Sequence, residues 1–360
     1  MTPTVLHVID TTGPGGAETV FLDLAQECMR RGYRSLAVIR GPGWVEEQLK
    51  KRGIPYEIHD CKGSLNLRFL ATLIRLVRRH DVTHIQSHLL GSNVYTSLVG
   101  LLMRVPVITT FHGHVDISEH ERFRNAKLAI IRAGAKHVVS VTDDLKQSIN
   151  RTTSGWSRLD ATVIPNGIDI SQLENLPLAS LGAEAGPVVF GCLGNIRPAK
   201  NYPLAVDFIA MLKEEGVDAV LRIAGDDTKP EAKALKEHAA ESGVGDRVAF
   251  LGFIDDVPGF LESIDVFLMT SSSEGHPLAL TQALAAGKPV VSTRNGIEKI
   301  VPEELMFLAD EHTAQSLTHG RSRLWQTEKL PELLKRGRSY VRDNYSLNAM
   351  FGRYFRLYEL

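Results

Sequence analysis

Short apolar runs rich in Val and Ile alternate with longer amphipathic runs along the first half of this 360-residue chain. The short runs are apolar at their centres, which is typical of parallel strands covered on both faces. The first run leads into residues 17–31, where apolar residues recur at the spacing of one helix face. The predicted strands of this half are residues 5–9, 35–40, 83–88, 105–112 and 137–142.

The same alternation starts again in the second half. Residues 163–170 hold a Pro-Asn-Gly turn and the last apolar run of the first half, whereas residues 171–186 are polar, small and weakly periodic. We therefore predict a boundary between residues 170 and 171. Two such arrays indicate an α/β protein with two doubly wound parallel sheets, which bind ligands at the carboxyl ends of their strands. The predicted strands of the second half are residues 188–194, 219–225, 247–253, 265–271 and 288–293.

Composition narrows the class of protein without naming a reaction. The chain is 43% hydrophobic and 23% charged, as in ordinary globular proteins, and its length suits two domains. A net charge of −1 disfavours nucleic acid as a partner. The three cysteines are widely spaced among apolar residues, and the first residues lack the pattern of a signal peptide. We therefore expect reduced thiols and a cytoplasmic location.

A glycine-rich turn, GPGGAE at residues 13–18, follows the first predicted strand. The dinucleotide fingerprint would need a third glycine where this chain has Glu18, and the Gly-Lys-Ser/Thr of triphosphate loops does not occur. Two interpretations remain open. Gly15 and Gly16 let the backbone approach an anion at the start of the helix, or the segment is a structural turn with Glu18 in the first helical turn.

The second half contains a more specific segment, TSSSEGHPLALTQALAAGKPVVST at residues 270–293. A strand leads into a Ser-rich loop, then Glu274, and then a helix whose free N–H groups favour an anion. A carboxylate beside an anion site suits a ligand that also carries hydroxyl groups. A sugar phosphate has both features.

This segment resembles the sugar-nucleotide signature of retaining glycosyltransferases of family 4, where a second Glu stands at the position of Gln282. The resemblance implies the GT-B architecture, with two Rossmann-like domains facing each other across a cleft. It also implies that residues 340–360 are helices that complete a first domain of residues 1–170, leaving 171–339 as the nucleotide-sugar domain. Further resembling segments are GPGGAE, TTFHGH (109–114), VIPNGID (163–169), GCLGNIRPAKNY (191–202) and YVRDNYSLNAMFGRYFRLYEL (340–360).

The resemblance assigns roles to charged residues of the second domain. Lys200 follows Gly194 at the family's spacing for the lysine that meets the donor diphosphate, where an ammonium would stabilise the leaving phosphate. The family's arginine falls on Asn195, so Arg197 is expected to supply the missing charge. Glu274 would bind hydroxyls of the donor sugar or steady charge at its anomeric carbon. The structural alternatives are solvated surface charges for Lys200 and Arg197 and a helix-start carboxylate for Glu274.

Other roles follow from the same resemblance. Gln282 would contact the ribose hydroxyls. Phe253, by its place at the end of the predicted strand RVAFLGF, would border the base. His112, which ends an apolar strand, would lie against the donor sugar; the alternative is a histidine of the core or of a turn. Gly15 and Gly16 would approach the donor and the acceptor, and His114 and Asp116 would serve the acceptor. The remaining donor-binding candidates are Gly275, His276, Pro277 and Leu278.

No metal or cofactor is expected. Metal-dependent transferases hold a divalent ion on the diphosphate with aspartates spaced D-x-D, and this spacing does not occur in the sequence. The nucleotide sugar would be a substrate, and a UDP-sugar is favoured only because the family uses it most often.

The sequence therefore predicts transfer of a hexosyl or N-acetylhexosaminyl group, with retention, to a saccharide or a lipid-linked acceptor in surface polysaccharide or glycolipid synthesis. Two alternatives remain open. One is a sugar-nucleotide 2-epimerase-like isomerase, which would need no acceptor. The other is a non-catalytic homologue that binds sugar nucleotides, which Asn195 and Gln282 would suit.

Two basic segments account for the positive first half, where 21 Lys and Arg face 16 Asp and Glu within residues 1–170. Residues 62–80 contain no acid and predict a helix with an apolar face of Leu67, Leu70, Ile74 and Val77; residues 122–136 are also basic. One interpretation is an ordinary amphipathic helix packed on a sheet. The other is a docking face for anionic lipid at the inner side of a membrane or for a lipid-diphosphate acceptor.

Overall fold

The computed structural model describes residues 2–62, 66–118, 120–155, 158–181, 186–274 and 277–358. The chain divides into two compact units. Met1–Gly167 and Asn348–Leu360 form the first unit, and Ile168–Leu347 forms the second. The division lies close to the predicted boundary at residue 170, but residues 340–347 group with the second unit.

The first unit contains a seven-stranded parallel sheet with strand order β3-β2-β1-β4-β5-β6-β7. Its helices are connections between parallel strands, which need such crossovers. The strands are β1 Thr4–Ile9, β2 Arg34–Ile39, β3 Tyr56–Ile58, β4 His84–His88, β5 Val107–Phe111, β6 His137–Ser140 and β7 Ala161–Val163. The helices are α1 Gly16–Arg30, α2 Trp44–Lys51, α3 Leu67–Arg79, α4 Leu90–Met103, α5 Arg124–Gly134 and α6 Asp143–Thr152.

The second unit contains a six-stranded parallel sheet with strand order β10-β9-β8-β11-β12-β13. The strands are β8 Val188–Leu193, β9 Ala219–Ala224, β10 Val248–Gly252, β11 Val266–Met269, β12 Val290–Thr293 and β13 Phe307–Ala309. The helices are α7 Tyr202–Glu214, α8 Pro230–Glu241, α9 Val257–Glu262, α10 Leu278–Ala285, α11 Ala314–Trp325 and α12 Leu330–Tyr345. The last helix of the chain is α13, Leu347–Tyr358.

Both strand orders reverse once, beside the first strand of each sheet. In the first sheet β1 lies between β2 and β4, and in the second β8 lies between β9 and β11. Successive connections leave opposite faces at such a switch point, so a crevice opens at the carboxyl ends of the strands. The loops after β1 and β4, and those after β8 and β11, are therefore the places where ligands are expected.

Helix α3 buries a different face from the one that the sequence predicted. Leu67 is 69% exposed, because α3 begins there after Asn66, whose side chain caps the helix by accepting from Phe69 N–H at 3.0 Å. Leu70 and Ile74 are only partly buried against the core. The core-facing residues are Phe69, Leu73, Leu76 and Val77.

Helix α13 packs within the first unit, whereas α12 belongs to the second. Tyr354 and Tyr358 are fully buried, and the Arg31 guanidinium lies 3.8 Å from the centre of the Phe355 ring. At the start of α13, Leu347 N–H donates to Ile168 O at 2.9 Å, and both of these residues belong to the second unit. Of the predicted returning helices, only α13 packs on the first sheet.

Arg338 on α12 ties three segments of the second unit together. Its guanidinium donates to the carbonyl oxygens of Ala285, Glu174 and Leu176 at 2.9, 2.9 and 3.0 Å. Because hydrogen bonds from a charged group contribute more than neutral ones, we expect Arg338→Met to lower the free energy of unfolding by about 2–4 kcal/mol. Hydrogen exchange of β12 in urea measures this for the second unit.

Arg336→Met on the same helix is the matched control. Arg336 is exposed and lies 3.8 Å from Glu304, so its loss should change stability by less than about 0.5 kcal/mol. Equal small effects for the two variants would contradict the role given to Arg338.

Candidate active site

The loop after β8 brings a lysine into the second sheet's switch point. The chain passes through Gly194 and a short 3₁₀ turn, Pro198–Lys200, before α7 begins. Gly194 has φ +144°, and a Cβ there would lie 3.0 Å from the Lys200 Cε, so glycine leaves room for the lysine stem. Tyr202 O–H donates to Gly194 O at 2.9 Å and fixes this turn.

Lys200 meets Glu274, which follows β11. Lys200 Nζ donates to Glu274 Oε1 at 2.7 Å, and the two side chains are only 10% and 9% exposed. Ser271 Oγ–H donates to the same carboxylate oxygen at 2.6 Å, and the Glu274 N–H donates to Asn295 O at 2.8 Å. An anionic ligand would therefore compete with Glu274 for the ammonium, while a ligand hydroxyl could donate to the carboxylate.

The other donor-binding candidates lie on loops at the same sheet edge or at the start of α10. Asn195 and Arg197 are exposed after β8, and Asn195 Oδ1 accepts from Asp226 N–H at 3.2 Å. Phe253, directly after β10, is 67% exposed. Pro277 is the N-cap residue of α10, Leu278 is its first residue, and Gln282 is partly buried. Gly275 and His276 lie outside the described residues.

In the first unit, the predicted glycine-rich turn is closed by its own glutamate. Helix α1 begins at Gly16, and a Cβ on Gly15 would lie 2.3 Å from Glu18 Oε2. Thr11 O–H donates to the other oxygen of this buried carboxylate at 2.5 Å. The lack of a side chain at Gly15 thus makes room for Glu18. Asn166 lies beside Gly16, since a Cβ there would be 3.9 Å from Asn166 Nδ2.

Asp10 is a candidate that the sequence analysis missed. It follows β1 and reaches the first turn of α4, where a Cβ on Gly91 would lie 2.1 Å from Asp10 Oδ2 and the Ser92 N–H donates to it. Burial and the nearby Asp116 carboxylate raise the pKa of Asp10 to about 6. A lone aspartate at the end of the first strand, directly before the glycine-rich turn, was the available signal.

His112 directly follows β5 and contacts a second histidine. His112 Nε2 lies 2.9 Å from Nδ1 of His88, which ends β4, and the two rings stack. Burial lowers the pKa of His112 to about 3 and that of His88 well below its usual value. Asp116 accepts from the His112 backbone N–H at 2.8 Å, whereas His114 lies 3.0 Å from Asp144 at the surface. Because their pKa values are lowered, the His88 and His112 rings are neutral hydrogen-bonding groups at pH 7.

We expect the first unit to lose stability in mild acid. The pKa of buried His7 is also lowered, to about 3, so His7, His88 and His112 stabilise the fold above their unfolded pKa of ~6.5 and lose this contribution as the pH falls. Between pH 7 and 5 the free energy of unfolding should fall by about 2 kcal/mol per histidine. Asp10 and Asp116, whose pKa values are raised by burial, oppose this loss in part.

Urea unfolding at pH 7 and pH 5 measures the effect. His7→Leu, which removes one of the three histidines, should reduce the difference between the two pH values by about 2 kcal/mol. Equal stability of the unmodified protein at both pH values would contradict the assignment.

Comparisons with known proteins place this arrangement in a family. Residues 178–339 match the glycosyl transferases group 1, and residues 14–172 match glycosyltransferase family 4. The chain belongs to the family 4 glycosyltransferases. The first match covers Lys200 and Glu274, and the second covers Gly15 and His112.

Three similar proteins illustrate the range of this family. The lipopolysaccharide core biosynthesis glycosyltransferase LpsD of Rhizobium meliloti is 26% identical over 361 residues, covering 99% of this chain and 98% of that protein. The Escherichia coli UDP-Gal:alpha-D-GlcNAc-diphosphoundecaprenol alpha-1,3-galactosyltransferase is 22% identical, covering 84% and 82%. The crystal structure of Anabaena Alr3699/HepE in complex with UDP-glucose has a TM-score of 0.78 at 20% identity, covering 99% and 100%. The predicted GT-B class, with two Rossmann-like α/β domains, is confirmed.

Within the described part of the chain, no cluster of three or more His, Cys, Asp or Glu side chains is arranged to hold a metal ion. None of its helices is long and apolar enough to cross a bilayer.

Proposed function

We propose that this glycosyltransferase moves a hexosyl or N-acetylhexosaminyl group from a nucleotide diphosphate to an acceptor hydroxyl with retention of anomeric configuration. The observation that carries the proposal is the Lys200–Glu274 pair, buried at the switch point of the second sheet. A paired ammonium and carboxylate suits a ligand that offers both an anion and hydroxyl groups. A nucleotide sugar offers a diphosphate and a hexose side by side.

Each candidate residue has a chemical part in this proposal. Lys200 and Arg197 would neutralise the charge that develops on the departing diphosphate. Glu274, released from Lys200, would accept hydrogen bonds from hydroxyls of the donor sugar. Gln282 would bind the ribose, which a neutral amide can do as both donor and acceptor, and Phe253 would lie against the base.

The proposed reaction needs no protein nucleophile. The bond between the anomeric carbon and the diphosphate oxygen breaks, and the bond to the acceptor oxygen forms on the same face of the sugar. The acceptor proton passes to an oxygen of the leaving phosphate. Lys200 and Arg197 would stabilise that phosphate throughout the step.

Similar proteins suggest which substrates to test first. The Escherichia coli relative is named for UDP-galactose and a diphosphoundecaprenol acceptor, LpsD for lipopolysaccharide core synthesis, and the Anabaena structure contains UDP-glucose. We therefore propose UDP-sugars as donors and saccharide or lipid-linked acceptors of surface polysaccharide or glycolipid synthesis. The proposed site of action is the cytoplasmic face of the membrane, where a lipid-linked acceptor would be reached.

A thermal-shift panel of UDP-, GDP- and ADP-sugars, followed by transfer assays with the stabilising donor, tests the proposal. Nucleotide release that depends on an acceptor, with a retained anomeric proton coupling in the product, is expected. A changed sugar nucleotide without any acceptor would instead indicate an epimerase-like isomerase. Binding without release across an acceptor panel would indicate a non-catalytic homologue.

Metal removal should leave transfer nearly unchanged. Lysine, arginine and helix N-termini would supply the positive charge that divalent ions supply elsewhere, and we propose that no cofactor takes part. Initial rates with EDTA and with added Mg²⁺ should agree within about twofold, because the expected electrostatic partners are protein groups. A strict Mg²⁺ requirement would contradict this prediction.

We propose that α3 contacts anionic lipid. Its outer face has exposed Arg68, Arg75, Arg78 and Arg79, and an open depression of about 570 Å³ lies between Ala71, Ile74 and three of these arginines. Such a surface offers arginine stems as apolar contact and guanidinium groups for phosphates. Co-sedimentation with phosphatidylglycerol vesicles should fall in Arg75→Glu/Arg78→Glu. Equal recovery of the unmodified protein with neutral and anionic vesicles would contradict the contact.

A further inference from the structure

A chain of buried hydrogen bonds connects the last helix of the protein to His112. Tyr358 on α13 donates its O–H to Gln86 Oε1 at 3.1 Å, and Gln86 lies on β4 with no exposed surface. Gln86 Nε2 donates to Thr110 Oγ1 at 3.1 Å and lies 3.4 Å from His88 Nε2. Thr110 in turn pairs with Tyr354 of α13 at 3.2 Å. In this arrangement the Gln86 amide turns Oε1 toward Tyr358 and Nε2 toward Thr110 and His88.

The orientation of this amide determines where the protons lie on both histidines. An amide nitrogen only donates, so His88 Nε2 must accept and carries no proton. A neutral imidazole has one N–H group, so the His88 proton lies on Nδ1. His88 Nδ1–H then donates to His112 Nε2 at 2.9 Å. The His112 proton is therefore left on Nδ1.

The chain of hydrogen bonds ends in a donor that has no protein partner. His112 Nδ1 is buried, and no hydrogen-bond acceptor for it exists among the described residues. A buried N–H without a partner is unfavourable. The position of this one at the carboxyl end of β5, where ligands are expected, points to an acceptor supplied by a ligand. If the proton lay on Nε2, the same nitrogen would be an acceptor and would favour a different ligand group.

We propose that Tyr358, Gln86 and His88 are positioning residues that hold His112 as the Nδ1–H tautomer, so that it donates a hydrogen bond to a saccharide oxygen. That the ligand is a saccharide rests on the proposed function, whereas the assignment of the tautomer does not. Nothing in this assignment requires His112 to transfer a proton, since both rings are neutral and His112 acts only as a fixed donor.

Long-range ¹⁵N–¹H NMR of histidine-labelled full-length protein without substrate reads the tautomer directly. The chain has 13 histidines, so His112→Gln identifies the relevant signals by their loss. We expect protonated Nδ1 and bare Nε2 for His112 in the unmodified protein. In Gln86→Leu and His88→Leu the proton should redistribute to Nε2, and kcat/KM should fall about tenfold, as for one lost hydrogen bond.

Two further variants separate positioning from packing. His88→Asn keeps an amide N–H at the place of the ring Nδ1–H, so it should retain the His112 tautomer and keep kcat/KM within about threefold. Thr109→Val changes the neighbouring buried position of β5, whose hydroxyl faces His137 O, and should alter neither readout. A His112 proton on Nε2 in the unmodified protein, or an unchanged tautomer in both leucine variants, would overturn the proposal. The expected tautomer in a protein that binds no nucleotide sugar would refute only the proposed function.

Discussion

Replacing Lys200 with methionine is expected to lower kcat/KM for sugar transfer by about 10²–10³-fold, the usual effect of removing one electrostatic donor from a reacting anion. The ammonium is held 2.7 Å from Glu274 with 10% exposure, so little water would screen its charge. Single-turnover rates as a function of donor concentration measure kcat/KM and, at saturation, the chemical step. Lys229→Met, which removes an exposed lysine of the same unit, should leave the rate within about twofold.

A double variant distinguishes lost chemistry from lost stability. Lys200→Met alone leaves the buried Glu274 carboxylate without its cation, which costs about 3–5 kcal/mol for a buried pair. Lys200→Met combined with Glu274→Gln removes both charges and should recover most of that stability without recovering transfer. Recovery of activity together with stability would show that the pair only holds the loop in place.

Gly225→Ala is the second substitution with a large expected effect. A Cβ on Gly225, directly after β9, would lie 2.1 Å from Gly194 O and 2.9 Å from Asn195 N. These atoms are backbone, so the loop that leads to Lys200 must move. A displacement of about 1 Å at a reacting group can lower the rate about 10²-fold, and we expect a loss of this size in kcat/KM.

Gly245→Ala is the matched control for this variant. A Cβ on Gly245 would make only ordinary contacts with Ala240, the nearest at 3.4 Å, so its kinetics should be those of the unmodified protein. If Gly225→Ala also kept its kinetics, the position of the loop after β8 would have no bearing on catalysis.

The apolar runs predicted most of the two sheets because buried parallel strands are continuous hydrophobic segments. Edge strands were harder to predict. β3, Tyr56–Ile58, and β13, Phe307–Ala309, have three residues each, too few to show a period. The prediction that Leu67 belongs to the buried face of α3 was wrong, because the Asn66 cap sets where the helix begins. Phe69 is buried in its place, and only tertiary packing decides this.

The candidate residues of the site followed from spacing and resemblance, but their mutual contacts did not. Lys200 and Glu274 are 74 positions apart, and only the adjacency of β8 and β11 brings them into one ion pair. His88 and Gln86 lie in the short predicted strand THIQSH, and its sequence gives no sign of a partner. Their contact with His112 depends on the pairing of β4 with β5. For Gly15 the sequence left two interpretations open, and the structure adds a local reason for a glycine there: a side chain would collide with Glu18.

Calorimetric titration of a nucleoside diphosphate and its monophosphate into the unmodified protein and Lys200→Met tests the central claim most directly. With UDP and UMP, or the pair that the donor panel selects, Lys200→Met should weaken diphosphate binding more than tenfold and change monophosphate binding less than twofold, since a lost charged contact costs about 1.5–3 kcal/mol. Equal diphosphate affinity in the two proteins, or an equal loss for both nucleotides, would contradict the assignment of Lys200 to the donor diphosphate.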